Sequence, residues 1–376
     1  MLHVNVCHIL FPLGIFLLIV NECWCKMATR KDESSGQSRP YLHSNLARTL
    51  YDRMLSDERL RNMDMTELYS IDELAVSEDI LPNFVQMGLD DETQAFLDGC
   101  LEKADWTFTQ IWHSITKSFL GMFMTQTSIN GLLNRGRMFV FSHAQAQVLL
   151  HGLSGSPQYG VWAGDRILDL GAGDGHVTQV LAAGAQHIDA TETSFVMRRR
   201  LQERGYRILD TWNWMDENLD IQYDLISCLN LLDRCDTPLE LLKSIHSRLA
   251  DHGILLVAIV LPFSPYVETG TADNLPSEEI GVNGTTFEEQ VNSFAIEIFP
   301  KLGFTVRRWT KLPYFCEGDL DQAFYWLSDV IFVLEKSNPN MQSSYNILNM
   351  KKSSVVGLDT LESIDSLNSV QVNVEL

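Results

Sequence analysis

Apolar and polar positions alternate in blocks along the middle of the chain. Short runs rich in Ile, Leu and Val predict buried strands, and longer amphipathic runs between them predict helices. The predicted strands are Arg166–Leu170, His187–Thr191, Arg207–Asp210, Tyr223–Leu229, Ile254–Val260, Thr305–Lys311 and Val330–Glu335, and the helical runs include Thr237–Leu249 and Phe287–Leu302. Strands that alternate with helices indicate a mostly parallel sheet covered on both faces, so the fold class is α/β.

The pattern changes on both sides of this block. Val4 to Val20 is almost wholly apolar and is followed by basic residues, which predicts a signal peptide or membrane anchor over residues 1–25. The further predicted regions are a polar linker over 26–45, a helical layer with a lid over 46–145, the α/β domain over 146–336 and a disordered tail over 337–376.

The apolar N-terminus leaves two topologies open. A retained segment would leave the domain on the cytosolic side, because Lys26, Arg30 and Lys31 follow it. A cleaved segment would make the protein lumenal or secreted. Both indicate association with a membrane system, and we expect the endoplasmic reticulum or another endomembrane, with the mitochondrion as the alternative.

The net charge of the chain indicates which kinds of partner it can bind. The net charge is −21, and no basic stripe that could follow a phosphate backbone stands out, which argues against a nucleic-acid partner. An acidic surface suits neutral or basic partners, including protein segments. The seven cysteines show no paired metal-ligand spacing, so no metal site is expected.

A glycine-rich loop carries the first chemical signal. Asp169 lies near the end of the predicted strand Arg166–Leu170, and Gly171, Gly173 and Gly175 follow at alternate positions before a predicted helix. Glycines there allow a tight turn and a close approach of a ligand to the backbone. A strand, such a turn and a helix together form a nucleotide-sized site at the carboxyl edge of a sheet. Glu192 lies about twenty residues further on, where an acid can bind both ribose hydroxyls.

Two acids in this loop, Asp169 and Asp174, would repel a diphosphate and suit a ligand that bears an ammonium and a sulfonium. The pattern acidic-x-Gly-x-Gly-x-Gly resembles motif I of class I S-adenosylmethionine-dependent methyltransferases. The alternative is a structural glycine turn in an unrelated α/β protein. The resemblance implies a Rossmann-like sheet of seven strands whose last strand inserts antiparallel, here with an N-terminal helical extension, and S-adenosyl-L-methionine as the cofactor.

Further cofactor contacts follow from this resemblance. Asn213 and Trp214 come after the third strand, where such enzymes contact the adenine. Arg135 lies in the predicted lid and could pair with the cofactor carboxylate, or it could be a solvated charge.

Acceptor chemistry is expected after the later strands. Asn230 and Asp233 follow the fourth strand at a spacing that puts them on one face of a helical turn, although ordinary capping would also explain them. The Asn/Asp-Pro-Pro-aromatic tetrapeptide of DNA and amide methyltransferases is missing here. Tyr314 and Tyr325 could wall an aromatic or imidazole substrate, or could simply pack in the core.

Several unusual strings, in order, resemble the DREV family over about Asp91 to Glu335. They are Ser128–Leu133, Met138–Ser142, the glycine loop, Ile226–Asp236, Leu261–Phe263 with Pro265–Glu268, Glu289–Ser293 and Cys316–Asp319. The resemblance implies a protein-histidine N-pros-methyltransferase whose partners are proteins bearing His-x-His segments with a small middle residue.

A mechanism can be predicted on this basis. Imidazole is mostly neutral at pH 7, and a carboxylate bound to one ring N–H leaves the lone pair on the other nitrogen. We expect Asp233 to hold Nε2–H so that Nδ1, the pros nitrogen, attacks the methyl group, while Asn230 and the tyrosines orient the ring. A methyltransferase of a small molecule or lipid, or a non-catalytic cofactor-binding scaffold, are the alternatives, and the intact glycine loop and Glu192 argue against the scaffold.

Overall fold

A computed structural model describes residues 45–106, 109–110, 112–113, 116–117, 126–133, 135–153, 164–182, 184–216, 221–267 and 273–337. The segments predicted as signal or anchor, as linker up to residue 44 and as tail beyond residue 337 lie outside the described residues, so those assignments stay predictions. No helix of the described ranges combines the length and the apolar composition that a membrane span requires.

Helices and strands alternate through the central block, as the apolar pattern predicts. The described helices are α1 Asn45–Arg61, α2 Asp91–Ala104, α3 Gln126–Leu133, α4 His143–Leu150, α5 His176–Leu181, α6 Phe195–Glu203, α7 Pro238–Arg248, α8 Phe287–Asn292 and α9 Phe299–Lys301. The strands are β1 Met138–Phe139, β2 Arg166–Leu170, β3 His187–Thr191, β4 Arg207–Leu209, β5 Tyr223–Leu229, β6 Leu249–Val260, β7 Phe304–Glu317 and β8 Phe324–Lys336.

One mixed sheet organises the domain, in the order β1-β7-β8-β6-β5-β2-β3-β4. Strands β4, β3, β2, β5 and β6 run parallel, and β8 lies antiparallel between β6 and β7. The seven predicted strands therefore stand in the spatial order 3-2-1-4-5-7-6 with the last one inverted. This arrangement confirms the predicted class I methyltransferase-like fold, and β1 is an eighth strand that the pattern did not predict.

The largest differences from prediction lie in the C-terminal hairpin. The strands β7 and β8 pair from Phe304–Lys336 to Glu317–Phe324, well past the predicted ends, because neighbouring residues such as Phe315 and Trp326 continue the ladder. The predicted helix Phe287–Leu302 is interrupted by a π-helical segment, Ser293–Ile298. Pro300 near its end has no N–H for regular helical bonding, which accounts for a change of hydrogen-bond register there.

Apolar side chains on both sheet faces form the core. One face packs α7, α8 and the π-helical segment over β5, β6 and β8, with Phe294, Phe299 and Phe332 fully buried. The other face packs α4 and α5 over the same strands. The N-terminal helices α1 and α2 cover the end of the β7–β8 hairpin through Leu60 and Leu97, which contact the cluster of Phe315 and Phe324. The hairpin is thereby fixed at the edge where the parallel strands end.

Candidate active site

The glycine loop lies between β2 and α5, and its glycines have different surroundings. Gly173 has φ +55°, and a Cβ built there would meet nothing within 4 Å. Gly175 has φ +78°, and its Cβ would approach Leu201 Cδ2 to 2.7 Å. Gly171 has φ +75° and faces Leu231 at 3.3 Å. The loop is therefore packed against protein at Gly171 and Gly175 and open at Gly173, which is where a ligand has room.

Glu192 lies directly beside this loop, after the end of β3. Its Oε2 accepts a hydrogen bond from Gly173 N at 2.9 Å, and its Oε1 accepts one from Ser194 N at 2.8 Å. Ser194 also bonds through its hydroxyl to Ser128 of α3 at 2.9 Å. The predicted lid is thus tied to the acid that is expected to hold the ribose, and the ribose contact itself stays a prediction.

Asp169 is placed differently from the expected cofactor contact. Its carboxylate is buried between the sheet and α5, where Oδ1 accepts from Ser227 Oγ at 2.7 Å and Oδ2 accepts from Thr178 Oγ1. Burial raises the pKa of this carboxyl to about 6, against the opposing hydrogen bonds from Thr178 and Ser227. Because both oxygens have protein partners, Asp169 joins β2, α5 and β5 and fixes the loop from within.

The two residues expected to contact the adenine have different surroundings. Trp214 is buried in the main core cluster, so its ring packs against protein. Asn213 is exposed in the turn after β4, where Asp210 Oδ1 accepts from both Trp212 N and Asn213 N at 2.9 Å. Of the two predicted residues, Asn213 is the one whose side chain remains accessible to a ligand.

Arg135 also differs from its expected role as a partner of the cofactor carboxylate. Its Nε lies 3.1 Å from Glu317 Oε1, and Lys103 Nζ reaches the same oxygen at 3.2 Å. The Glu317 side chain is only 1% exposed, so it requires these two cations. Arg135 therefore forms an internal ion pair with Glu317, which joins the predicted lid to the end of β7.

A second group of polar residues lies at the carboxyl end of β5. Asn230 has φ +52°, and its N–H bonds to Ala258 O at 2.9 Å. Its Nδ2 donates to Asp329 Oδ2 at 2.7 Å. Asp233 is buried, and its Oδ2 pairs with Arg234 Nε at 3.1 Å. We call Asn230, Asp233 and Asp329 the acceptor cluster.

Three oxygens of the acceptor cluster have no hydrogen-bond partner among the described residues: Asn230 Oδ1, Asp233 Oδ1 and Asp329 Oδ1. Each is buried, and a buried acceptor without a donor costs about 1–3 kcal/mol. Burial raises the pKa of Asp233, partly offset by Arg234, and burial raises the pKa of Asp329 further, partly offset by its hydrogen bond from Asn230. The cluster is thus prepared for a ligand that brings N–H donors.

Asp329 is a candidate site residue that the sequence prediction missed. It lies in β8 opposite Val260, the last residue of β6, and is fully buried. The usable signal was a carboxylate directly before the apolar run Val330–Leu334. Since β8 runs against the parallel strands, its early residues lie at the same sheet edge as the ends of β5 and β6.

The two predicted tyrosines share one face of the β7–β8 hairpin with Asp329, as the register of Cys316 with Tyr325 and of Leu312 with Asp329 requires. Tyr314 O–H donates to Met138 Sδ, and burial, with Asp329 and Asp233 among the further causes, raises its pKa. Tyr325 O–H donates to Asp319 Oδ1 at 2.9 Å. Tyr314 therefore lies close to the acceptor cluster, whereas the Tyr325 hydroxyl is engaged at the hairpin end.

Among the described ranges, no three His, Cys, Asp or Glu side chains are grouped so that they could hold a metal ion.

The sheet order, the open glycine loop and the acid at the end of the next strand define a class I S-adenosylmethionine-dependent methyltransferase. The sequence model described as DREV methyltransferase matches residues 69–336. The chain belongs to the DREV methyltransferase family, and S-adenosylmethionine is its cofactor, as predicted.

Solved structures with a similar fold include a segment titled StiE O-MT, at 16% identity over 56% of this chain and 80% of that chain, with a TM-score of 0.34. The N-methyltransferase NodS from Bradyrhizobium japonicum, in complex with S-adenosyl-L-homocysteine, matches at 15% identity over 52% and 86%, with a TM-score of 0.32. The ribosomal protein L11 methylase from Lactobacillus delbrueckii matches at 15% over 55% and 83%, with a TM-score of 0.30. The assignment rests on the strand order and the family match, not on these scores.

Proposed function

We propose that this methyltransferase modifies the pros nitrogen, Nδ1, of histidine in His-x-His segments of proteins. The acceptor cluster carries the proposal: it offers buried, unpartnered oxygens at the carboxyl edge of the sheet, beside the strand that precedes the open loop. An imidazole brings one N–H and one lone pair, so a fixed acceptor selects which nitrogen reacts. The resemblance of the site strings to the family supports the same substrate class.

The described residues fit the cofactor. The open space at Gly173 leaves room for its backbone approach, and Glu192 at the end of β3 would accept from the ribose hydroxyls. Asn213, exposed after β4, would reach the adenine. When bound, S-adenosylmethionine supplies a methyl group on a sulfonium, and its transfer leaves a neutral thioether.

In the proposed mechanism, Asp233 Oδ1 accepts the hydrogen bond from the imidazole Nε2–H. This bond fixes the tautomer, leaves the lone pair on Nδ1 and makes the ring more nucleophilic. Arg234 holds the other carboxylate oxygen at 3.1 Å, so Asp233 presents Oδ1 in one orientation. After Nδ1 is methylated, the ring carries a positive charge, and its Nε2 proton leaves to Asp233 and then to water. Alignment supplies most of the acceleration.

The test is methyl transfer from labelled S-adenosylmethionine by the full chain. We expect label in a His-x-His peptide with a small middle residue, none in the same peptide with both histidines replaced by alanine, and pros-methylhistidine on amino-acid analysis. A lipid extract is assayed in parallel. Label in lipid but not in the peptide, or label on the other ring nitrogen, would overturn the proposal.

A pair of matched variants tests the residue assignment. Asp233→Asn should lower turnover of the peptide strongly while cofactor affinity, measured by calorimetry, stays the same. Asp236→Asn is the control, because Asp236 is three positions away and its carboxylate accepts hydrogen bonds from Ser277 at the surface. Equal turnover of the two variants would remove Asp233 from the mechanism.

A further inference from the structure

Asp329 has no role in the mechanism above, yet it has the most costly environment of the acceptor cluster. It is 0% exposed, its Oδ1 has no partner among the described residues, and its Oδ2 accepts from Asn230 Nδ2 at 2.7 Å. We propose that Asp329 is a positioning residue: it fixes the Asn230 carboxamide so that Oδ1 of Asn230 faces the substrate. This inference rests on the proposed function.

The need for such a residue follows from the chemistry of the amide. A carboxamide can present either its oxygen or its NH₂ group to a ligand, since the two orientations differ by a flip. An ionised carboxylate only accepts hydrogen bonds, so Asn230 must turn Nδ2 towards Asp329. The oxygen is then directed away from Asp329, and Oδ1 is the atom that stays buried without a partner.

The same hydrogen bond remains available when Asp329 is protonated. Burial raises the pKa of Asp329, and the neighbouring Asp233 charge raises it further. A proton on Oδ1 would still leave Oδ2 as an acceptor for Asn230 Nδ2. The carboxyl group can therefore accept from Nδ2 in both states, and the ionised state excludes the flipped amide because it has no donor for Asn230 Oδ1.

The backbone of Asn230 is also held in place. Asn230 has φ +52°, and its N–H is bound to Ala258 O, so the residue is anchored on β6 at the carboxyl end of β5. With the backbone held, rotation of the side-chain amide is the remaining conformational freedom of this residue. Asp329 removes that freedom from a position 99 residues away in sequence.

Five full-length proteins test the inference: wild type, Asp329→Leu, Asp329→Asn, Asn230→Ala and the Asn230→Ala/Asp329→Leu double variant, which completes a cycle. The first readout is the side-chain amide resonance of Asn230 by NMR. We expect a shifted, slowly exchanging amide in the wild type, its loss in Asp329→Leu and its retention in Asp329→Asn, which keeps an acceptor oxygen.

The second readout is peptide turnover at saturating cofactor. Asp329→Leu should lower kcat/KM by about tenfold to a hundredfold, the range expected for a lost hydrogen bond to a charged group. Asp329→Asn should recover part of this loss, and the double variant should be no worse than Asn230→Ala. Cofactor affinity and the thermal midpoint of Asp329→Asn serve to separate positioning from misfolding.

Two results would overturn the inference. The first is an Asn230 amide resonance that does not change in Asp329→Leu; the second is a loss of turnover that adds fully to that of Asn230→Ala. Failure of the proposed function looks different, because the wild type would then leave histidine peptides unmethylated while the amide resonance still responded to Asp329→Leu. The NMR readout therefore decides the inference even in that case.

Discussion

Gly173 and Gly175 provide a direct test of where the cofactor lies, because both have positive φ but only one borders open space. An alanine in the left-handed region costs about 1–2 kcal/mol. Gly173→Ala should therefore lower the free energy of unfolding by about that amount, since its Cβ meets nothing within 4 Å. Its methyl group would project into the space assigned to the ligand.

Gly175→Ala carries the same backbone cost and an additional packing cost. Its Cβ would lie 2.7 Å from Leu201 Cδ2 and 3.1 Å from Arg204 Cδ, and Leu201 is fully buried. Overpacking of a core position costs about 1–3 kcal/mol, so the total loss should be about 2–5 kcal/mol. The structure therefore predicts that the Gly173→Ala variant has a higher free energy of unfolding than the Gly175→Ala variant.

The assay is urea unfolding of each variant together with calorimetric titration of S-adenosylmethionine. Gly173→Ala should weaken cofactor binding at least about tenfold, which corresponds to about 1.4 kcal/mol, whereas Gly175→Ala should act mainly on stability. Gly205→Ala is the matched control, because Gly205 has φ +85°, open space around its Cβ and no part in the loop. Unchanged cofactor affinity in folded Gly173→Ala would refute the placement of the ligand.

Three further predictions concern charged groups. The pKa of Asp169 is raised to about 6, so the folded state binds an extra proton between about pH 4 and 6, and wild-type stability should fall by about 3 kcal/mol as pH rises through that window; urea unfolding of Asp169→Asn should lack this slope. Burial raises the pKa of Asp233, so kcat at saturating peptide should fall on acidification at a higher pH than an ordinary aspartate would give, and Asp233→Asn should lose that limb of kcat along with about a hundredfold in its value, while the limb of kcat/KM that comes from the substrate imidazole remains in both proteins. Arg135→Met should lower the free energy of unfolding by about 1–3 kcal/mol, since Glu317 loses one of the two cations paired with it and keeps Lys103; a large loss of cofactor affinity at unchanged stability would instead return Arg135 to the cofactor site.

Much of the fold could be predicted from local pattern. The strands β2, β3 and β5 have the predicted bounds because each is a short apolar run between clear turn residues. The strand β1 and the extended pairing of β7 with β8 could not be predicted in this way. β1 has only two residues and exists through its pairing with β7, and the long β7–β8 ladder depends on partners that a window of sequence does not contain.

The candidate site likewise has one part that local sequence predicts and another part that depends on tertiary contacts. Gly173, Glu192 and Asn230 could be proposed as site residues because motif and strand position mark them locally. Asp169 was assigned to the cofactor as the acid of the glycine motif and Arg135 as a cation of the predicted lid, whereas the structure gives both of them protein partners. A charge in a motif shows that the position is polar, but its partner is decided by which elements meet there.

Asp329 shows why topology is needed to complete the site. In a fully parallel sheet, the start of the last strand would lie at the edge opposite to the ends of β5 and β6. The inversion of β8 brings its early residues to the edge where the glycine loop and Asn230 lie. In the proposed function, the cofactor half of the site therefore comes from β2 and β3, and the acceptor half comes from β5 with the antiparallel hairpin. On this proposal, changes in the hairpin would alter the acceptor while the loop at Gly173 would continue to bind the same methyl donor.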